Sequence, residues 1–153
     1  YRAKEQPQAT PQNKPNLAVT ASSAPAVNNQ LTTTILEIGK KDEPKNKNPK
    51  NPIKLMLRNP TMIVRITTDH YNNGMGTARG GNISIKDKEG NVIGTFRANG
   101  ISGKNGTPNA KWVAEPHKVL EKGTYYIWDS DMPTWSKNFV GNGFVVVEGY
   151  EVE

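Results

Sequence analysis

Asn82-Ile-Ser-Ile-Lys-Asp87, Lys88-Glu-Gly-Asn91 and Val92-Ile-Gly-Thr-Phe-Arg97 follow one another without a break. Two strand-like segments flank a Gly-Asn turn, which is the sequence signature of a β-hairpin. Similar segments recur on both sides. Thr61–Thr67 alternates Met62, Val64 and Ile66 against Thr61, Ile63, Arg65 and Thr67, a period of two. Lys111–Ala114, Gly123–Trp128 and Gly143–Val152 complete the series. No window of 11 residues keeps a helical period, because Pro and Gly interrupt every candidate except a single turn around Pro133–Lys137. The reading is all-β: an antiparallel β-sandwich, jelly-roll or Ig-like, with a barrel as the alternative closure.

Composition divides the chain of 153 residues into an arm and a body. All 14 Gly lie at or after Gly39, ten of the 11 aromatic residues lie at or after Tyr71, and seven of the 11 Pro precede residue 53. Residues 1–16 are polar and Pro-punctuated, and bury too little to offset roughly 1–2 kcal/mol of backbone ordering entropy per residue. Residues 17–38 differ. Leu17, Val19 and Ala21 alternate with smaller or polar neighbours, and Leu31–Ile38 is β-branched and strand-like around Ile35. The expected organisation is an arm at 1–38 carrying a strand-forming segment, a Lys/Asn/Pro-rich linker at 39–53, and a sandwich body at 54–153. Trp112, Trp128, Trp135, Phe96, Phe139, Phe144 and Val145–Val147 are the expected core.

Several function classes fall away on composition. Without Cys there is no disulfide framework and no thiol nucleophile. His70 and His117, the two histidines, are too few for a His-rich zinc centre. No apolar run approaches the roughly 20 residues of a membrane span. The net charge of +6 divides evenly, +2 each, among residues 1–30, 31–53 and 54–153. The aromatics therefore sit in a nearly balanced body rather than in a basic groove, which argues against nucleic acid.

The densest polar motif is Asp129-Ser-Asp-Met-Pro-Thr-Trp-Ser-Lys-Asn138. Asp129, Asp131 and Asn138 offer hard oxygens suited to Ca²⁺, although the spacing is not that of an EF-hand. The competing reading is a capped turn, with Asp131 as N-cap of a short helix through its side chain and Asp129 satisfying turn amides. Trp112 and Trp135 are candidate sugar platforms if exposed, while Trp128 lies in a strand and belongs to the core. Trp135 is expected to be buried, plugging one end of the sandwich against Phe139, Val140 and Phe144. Asp69 and His70 are adjacent on a strand and face opposite ways, so they make no dyad. A dyad of His70 with Asp129 or Ser130 is the remaining catalytic arrangement. Asn72-Asn-Gly-Met-Gly76 reads as a loop with positive φ, and Gly100–Gly106 as a surface loop rather than a phosphate loop.

Tyr71-Asn-Asn-Gly, Gly81–Asp87, Pro108-Asn-Ala-Lys-Trp112 and Gly123–Asn138 with Gly143-Phe144 together give a pattern. It resembles a secreted bacterial β-domain found in uncharacterised envelope and extracellular proteins. The likeness spans about residues 54–149, leaves the arm unmatched, and has a shorter loop after Asn138 than that pattern would carry. It implies the β-fold and an extracellular or cell-surface location in a bacterial-type envelope, with no enzymatic activity attached. A chain that starts at Tyr1 without Met also fits a processed, mature protein.

The leading functional expectation is a non-enzymatic subunit of an extracellular filament or fibre. Leu17, Val19, Ala21, Leu31 and Ile35 would donate a strand to another copy of the chain. The alternative is a cell-surface glycan-binding or calcium-dependent adhesion module built on Trp112, Trp135 and the Asp129–Asn138 loop.

Overall fold

A computed structural model of the chain describes residues 31–39 and 45–153. In chain order the strands are β1 (Thr33–Ile38), β2 (Asn46–Lys47), β3 (Ile53–Leu57), β4 (Thr61–Asp69), β5 (Asn82–Asp87) and β6 (Val92–Ile101). They continue as β7 (Lys111–Ala114), β8 (Lys118–Leu120), β9 (Gly123–Asp129), β10 (Ser136–Lys137) and β11 (Val145–Glu151). Helical structure among the described residues is limited to single 3-10 turns at Asn72–Gly74, Lys104–Gly106 and Met132–Thr134.

The hairpin forms as read. Strands β5 and β6 pair antiparallel from Asn82↔Arg97 to Lys86↔Val92. Between them Asp87 Oδ1 accepts the backbone N–H groups of Glu89 and Asn91, each at 2.9 Å. Gly90 takes the φ of +90° that the turn requires. Strand β6 is long enough to serve two partners: Val92–Arg97 pairs with β5, and Ala98–Ile101 pairs with β7. That change of partner lets one continuous sheet turn over on itself. Its order is β1-β11-β4-β7-β6-β5-β9-β3, with β8 also on β4. Every strand pair is antiparallel. Ile53, Leu55, Ile83, Ile85 and Ile127 from one half pack with Ile63, Ile66, Trp112, Val145 and Val147 from the other in a single core. The fold is therefore an all-β antiparallel sandwich, nearly closed, whose sheet ends on β1 and β3.

Four expectations need revision. First, the alternation of Met62, Val64 and Ile66 does not define one buried face. Glu148 pairs with Arg65 and Gly149 with Ile63, so Val64 is the extra residue of a β-bulge. The bulge inverts the phase: Ile63 is buried on one side of it and Ile66 on the other, whereas Met62 and Val64 are only half-buried. Gly149 is required there, because a Cβ would come within 1.9 Å of the Met62 carbonyl oxygen.

Second, β1, placed in the arm by the sequence, is an edge strand of the sandwich. It pairs along its length with β11, and Ile35, Leu36 and Ile38 pack against the core. Leu31 is exposed. Leu17, Val19 and Ala21 lie outside the described residues. Third, the polar stretch read as a linker is tied down where it is described. Asn46–Lys47 pairs with Ser136–Lys137, the Asn48 N–H donates to the Trp135 carbonyl at 3.0 Å, and Ile53 opens β3 with its side chain buried. Polar composition concealed these contacts because, Ile53 apart, they are made by backbone groups and not by apolar side chains.

Fourth, Phe139 is 82% exposed, while Phe96 and Trp128 are only half-buried and pack against the core rather than within it. Along β9, Tyr125, Ile127 and Asp129 point inward, which places Trp128 on the outer face.

Candidate functional site

Strand β4 runs out into three consecutive buried polar residues, Thr68, Asp69 and His70. Burying them is costly unless each polar atom finds a partner. The alternation of the strand sends Asp69 one way and its two neighbours the other, and each side has its own network.

On the inner side His70 Nε2 lies 2.7 Å from Asp129 Oδ2, and Nδ1 lies 2.7 Å from Thr134 Oγ1. Thr68 Oγ1 donates to the same Asp129 oxygen at 2.6 Å. The other Asp129 oxygen accepts the Asp131 N–H at 2.8 Å. The imidazole stacks on Trp112 with ring centroids 3.8 Å apart, and the Trp112 indole N–H donates to Thr77 Oγ1 at 3.1 Å. Thr134, His70 and Asp129 thus stand in the order of a nucleophile, base and acid. The His70 and Asp129 side chains are both 0% exposed, whereas Thr134 is partly exposed. What the network does is fasten the loop after β9 to the end of β4.

On the outer side Asp69 Oδ2 meets Lys45 Nζ at 2.7 Å and Lys111 Nζ at 3.2 Å. Its Oδ1 accepts from Ser136 Oγ at 2.6 Å and from the Tyr71 N–H at 3.0 Å. Burial works against the charged carboxylate, but the hydrogen bonds from Lys45 and Ser136 and the charges of Lys45 and Lys111 outweigh it. Asp69 is held below the ordinary carboxylate value. A cavity of about 370 Å³ opens beside this ion cluster, with Glu37, Ile38, Lys104, Lys111, Phe144 and Val146 among its lining residues. The register Glu37↔Val146↔Thr67 makes its floor the outer face of the sheet. Strand β1 forms one wall, and Gly39 (φ +97°) fits there because a Cβ would meet the Phe144 ring within 2.3 Å.

Of the three side chains read as calcium ligands, Asp129 and Asn138 are each taken up by other partners. Asp129 is sealed against His70 and Thr68. Asn138 Oδ1 accepts the N–H groups of Val140 at 3.1 Å and Asn142 at 3.0 Å, capping a different turn. Asp131 makes no side-chain cap; its carbonyl accepts from the Thr134 and Trp135 N–H groups instead. The turn exists as read, but the backbone of Asp131 and the carboxylate of Asp129 build it. Among the described residues no group of three or more His, Cys, Asp or Glu side chains is placed to hold a metal.

Neither candidate sugar platform is available. Trp112 lies under His70, and Trp135 is fully buried with its indole N–H donating to the Phe144 carbonyl at 3.0 Å. The expected burial of Trp135 is observed, but it is burial within the main hydrophobic core, with Gly143 against the indole. A Cβ on Gly143 would fall 2.3 Å from the indole. Phe139 and Val140 face solvent.

The sequence brought His70 and Asp129 together as a conceivable dyad, and they do pair. It missed Lys45, Lys111 and Ser136 around Asp69. Lys45 sat in a stretch with no apolar periodicity, and no local signal marks a lysine that will reach a carboxylate 24 residues away. No family model, curated protein or solved structure matches this chain.

Proposed function

We propose that the chain is a non-enzymatic structural subunit of an extracellular or cell-surface assembly, joined by strand addition from the N-terminal arm of one copy to the sheet edge of the next. The observation that carries this reading is the unsealed seam between the two ends of the sheet. Among the described residues no strand lies along the outer side of β1 or of β3.

The two edges are not equivalent, and the difference supports β1 as the acceptor. On β3 the core-side residues Ile53, Leu55 and Leu57 are already buried, and Lys54 stands exposed on the edge strand. A charged side chain on an edge discourages further pairing, but β1 carries one too, Glu37, so the edges differ in apolar cover and not in charge. On β1 Leu36 and Ile38 lie opposite buried Val147 and Val145 and pack on the core, yet remain half-exposed. A further strand beside β1 would cover them. The sequence Leu17-Ala-Val-Thr-Ala-Ser22 has the alternation for it: ladder hydrogen bonds supply affinity and Leu17, Val19 and Ala21 fill the uncovered side. Donation from one copy to the next is head-to-tail and need not close, so it yields a linear polymer. The buried Trp112 and Trp135 weigh against the adhesion alternative.

The test is light scattering and negative-stain microscopy on the full chain and on a chain lacking residues 1–30. The full chain should form linear assemblies. The shortened chain should stay monomeric with an unchanged near-UV circular dichroism spectrum. Identical oligomers from both would sink the proposal.

A further inference from the structure

Two large apolar side chains stand side by side in water at one loop tip. Phe139 is 82% exposed and Val140 70% exposed. Their backbone is not loose. The Asn138 N–H donates to the Asn142 carbonyl at 2.9 Å, and the Gly141 N–H to the Asn138 carbonyl at 3.1 Å. Asn138 Oδ1 accepts two further amides of the same turn. From outside the turn, Asn51 Nδ2 donates to the Val140 carbonyl at 3.2 Å and the Lys50 N–H to the Gly141 carbonyl at 3.0 Å. Gly141 supplies the positive φ of +90°. The turn is held by side-chain and backbone bonds while its two apolar side chains contribute nothing to the core. A tip that served only to connect β10 to β11 would need no apolar residues there.

The surroundings are basic. The concavity at the base of the tip is lined by Asn46, Lys47, Asn48, Pro133, Lys137 and Asn138, with Phe139 closing it. Two of these side chains are lysines and none is acidic, with the Lys47 amine also donating to Asn72 Oδ1 at 3.1 Å. Lys50, an exposed residue, adjoins the tip through its backbone N–H on the Gly141 carbonyl.

We propose that this tip docks on an anionic lipid bilayer. Phe139 and Val140 would enter the boundary between headgroups and acyl chains, and Lys47, Lys50 and Lys137 would face the anionic headgroups. The shape favours a bilayer over a protein partner. Two protruding residues cannot bury the roughly 1,000 Å² that a stable protein interface requires. A bilayer, in contrast, accepts a small apolar protrusion and rewards nearby lysines. This inference uses neither the arm nor the seam, and so stands apart from strand addition.

The experiment is flotation of the full chain with two kinds of vesicle, phosphatidylcholine alone and phosphatidylcholine mixed with phosphatidylglycerol. The expected result is binding at least roughly tenfold stronger to the anionic vesicles, weakening as salt is raised. The double variant Phe139→Ser with Val140→Ser should lose it. Because both side chains are already in water, that variant should keep the native circular dichroism spectrum and melting temperature. A triple variant Lys47→Gln, Lys50→Gln, Lys137→Gln should bind both vesicle types equally weakly. Failure of the full chain to float with either vesicle would overturn the proposal. So would undiminished flotation of the Phe139/Val140 variant, or a loss of self-assembly in that variant with flotation intact.

Discussion

The sandwich is finished differently at its polar end and along its seam. Where β4 ends, polar side chains are buried almost completely, and each finds partners: His70 with Asp129 and Thr134, Asp69 with Lys45, Lys111 and Ser136. Trp135, directly after the Met132–Thr134 turn, is fully buried in the core. Along β1 the side chains are apolar and only half-covered. A buried polar network tolerates one arrangement, because any shift leaves a desolvated group unpaired. A half-covered apolar strand tolerates several, including one more strand beside it. The polar end therefore holds a single arrangement, and the seam leaves an edge of the sheet open.

This contrast is open to attack, most forcefully at Trp135. Truncation to Ala removes a fully buried indole and its hydrogen bond to Phe144, and should cost about 3–5 kcal/mol in chemical denaturation. A loss under about 1 kcal/mol would mean that the end plug is dispensable and the comparison misplaced.

Asp69→Asn should have the next largest effect, about 1–3 kcal/mol at neutral pH, because Lys45 is left buried without its carboxylate. The same residue predicts a pH signature. Its folded-state value lies below the ordinary 3.8, so its contribution is fully present above that value and is lost as pH falls through the depressed one. Thermal melts of wild type should therefore show a part of the decline below about pH 4 that the Asn variant lacks. Parallel acid limbs in the two proteins would show that the ion cluster adds no stability.

The smallest effect belongs to the seam. Leu36→Ala should cost the monomer about 1 kcal/mol, in proportion to a side chain only half removed from water. In the assembled form the loss should be greater, since an added strand would complete the burial. Equal losses in the shortened monomer and in the full-length assembly would place the acceptor edge elsewhere.

The strands were legible because a period of two, with Gly and Asn punctuation, is written locally. The β5–β6 hairpin needed nothing beyond its own 16 residues. The positive φ values at Asn72, Asn73, Gly74 and Gly76 were legible for the same reason, since loop residue types report backbone conformation directly. The phase of β4 was not. The bulge at Val64 arises from pairing with Glu148–Gly149, more than 80 residues away, and periodicity within one strand carries no trace of its neighbour.

The site divides along the same line. Sequence alone determined an antiparallel β-fold and the residue types at its turns, because strand propensity and turn chemistry act over a few neighbouring residues. The burial of Trp135 was expected, but against Phe139 and Val140, which stand in water. Tertiary structure alone decided that His70 stacks on Trp112, that Lys45 reaches Asp69, that β1 joins the sandwich, and that Phe139 is left in water. Each of these depends on which distant surfaces meet when the sheet turns over at β6. Hydrogen bonds and ion pairs between distant residues impose no spacing on the chain that makes them.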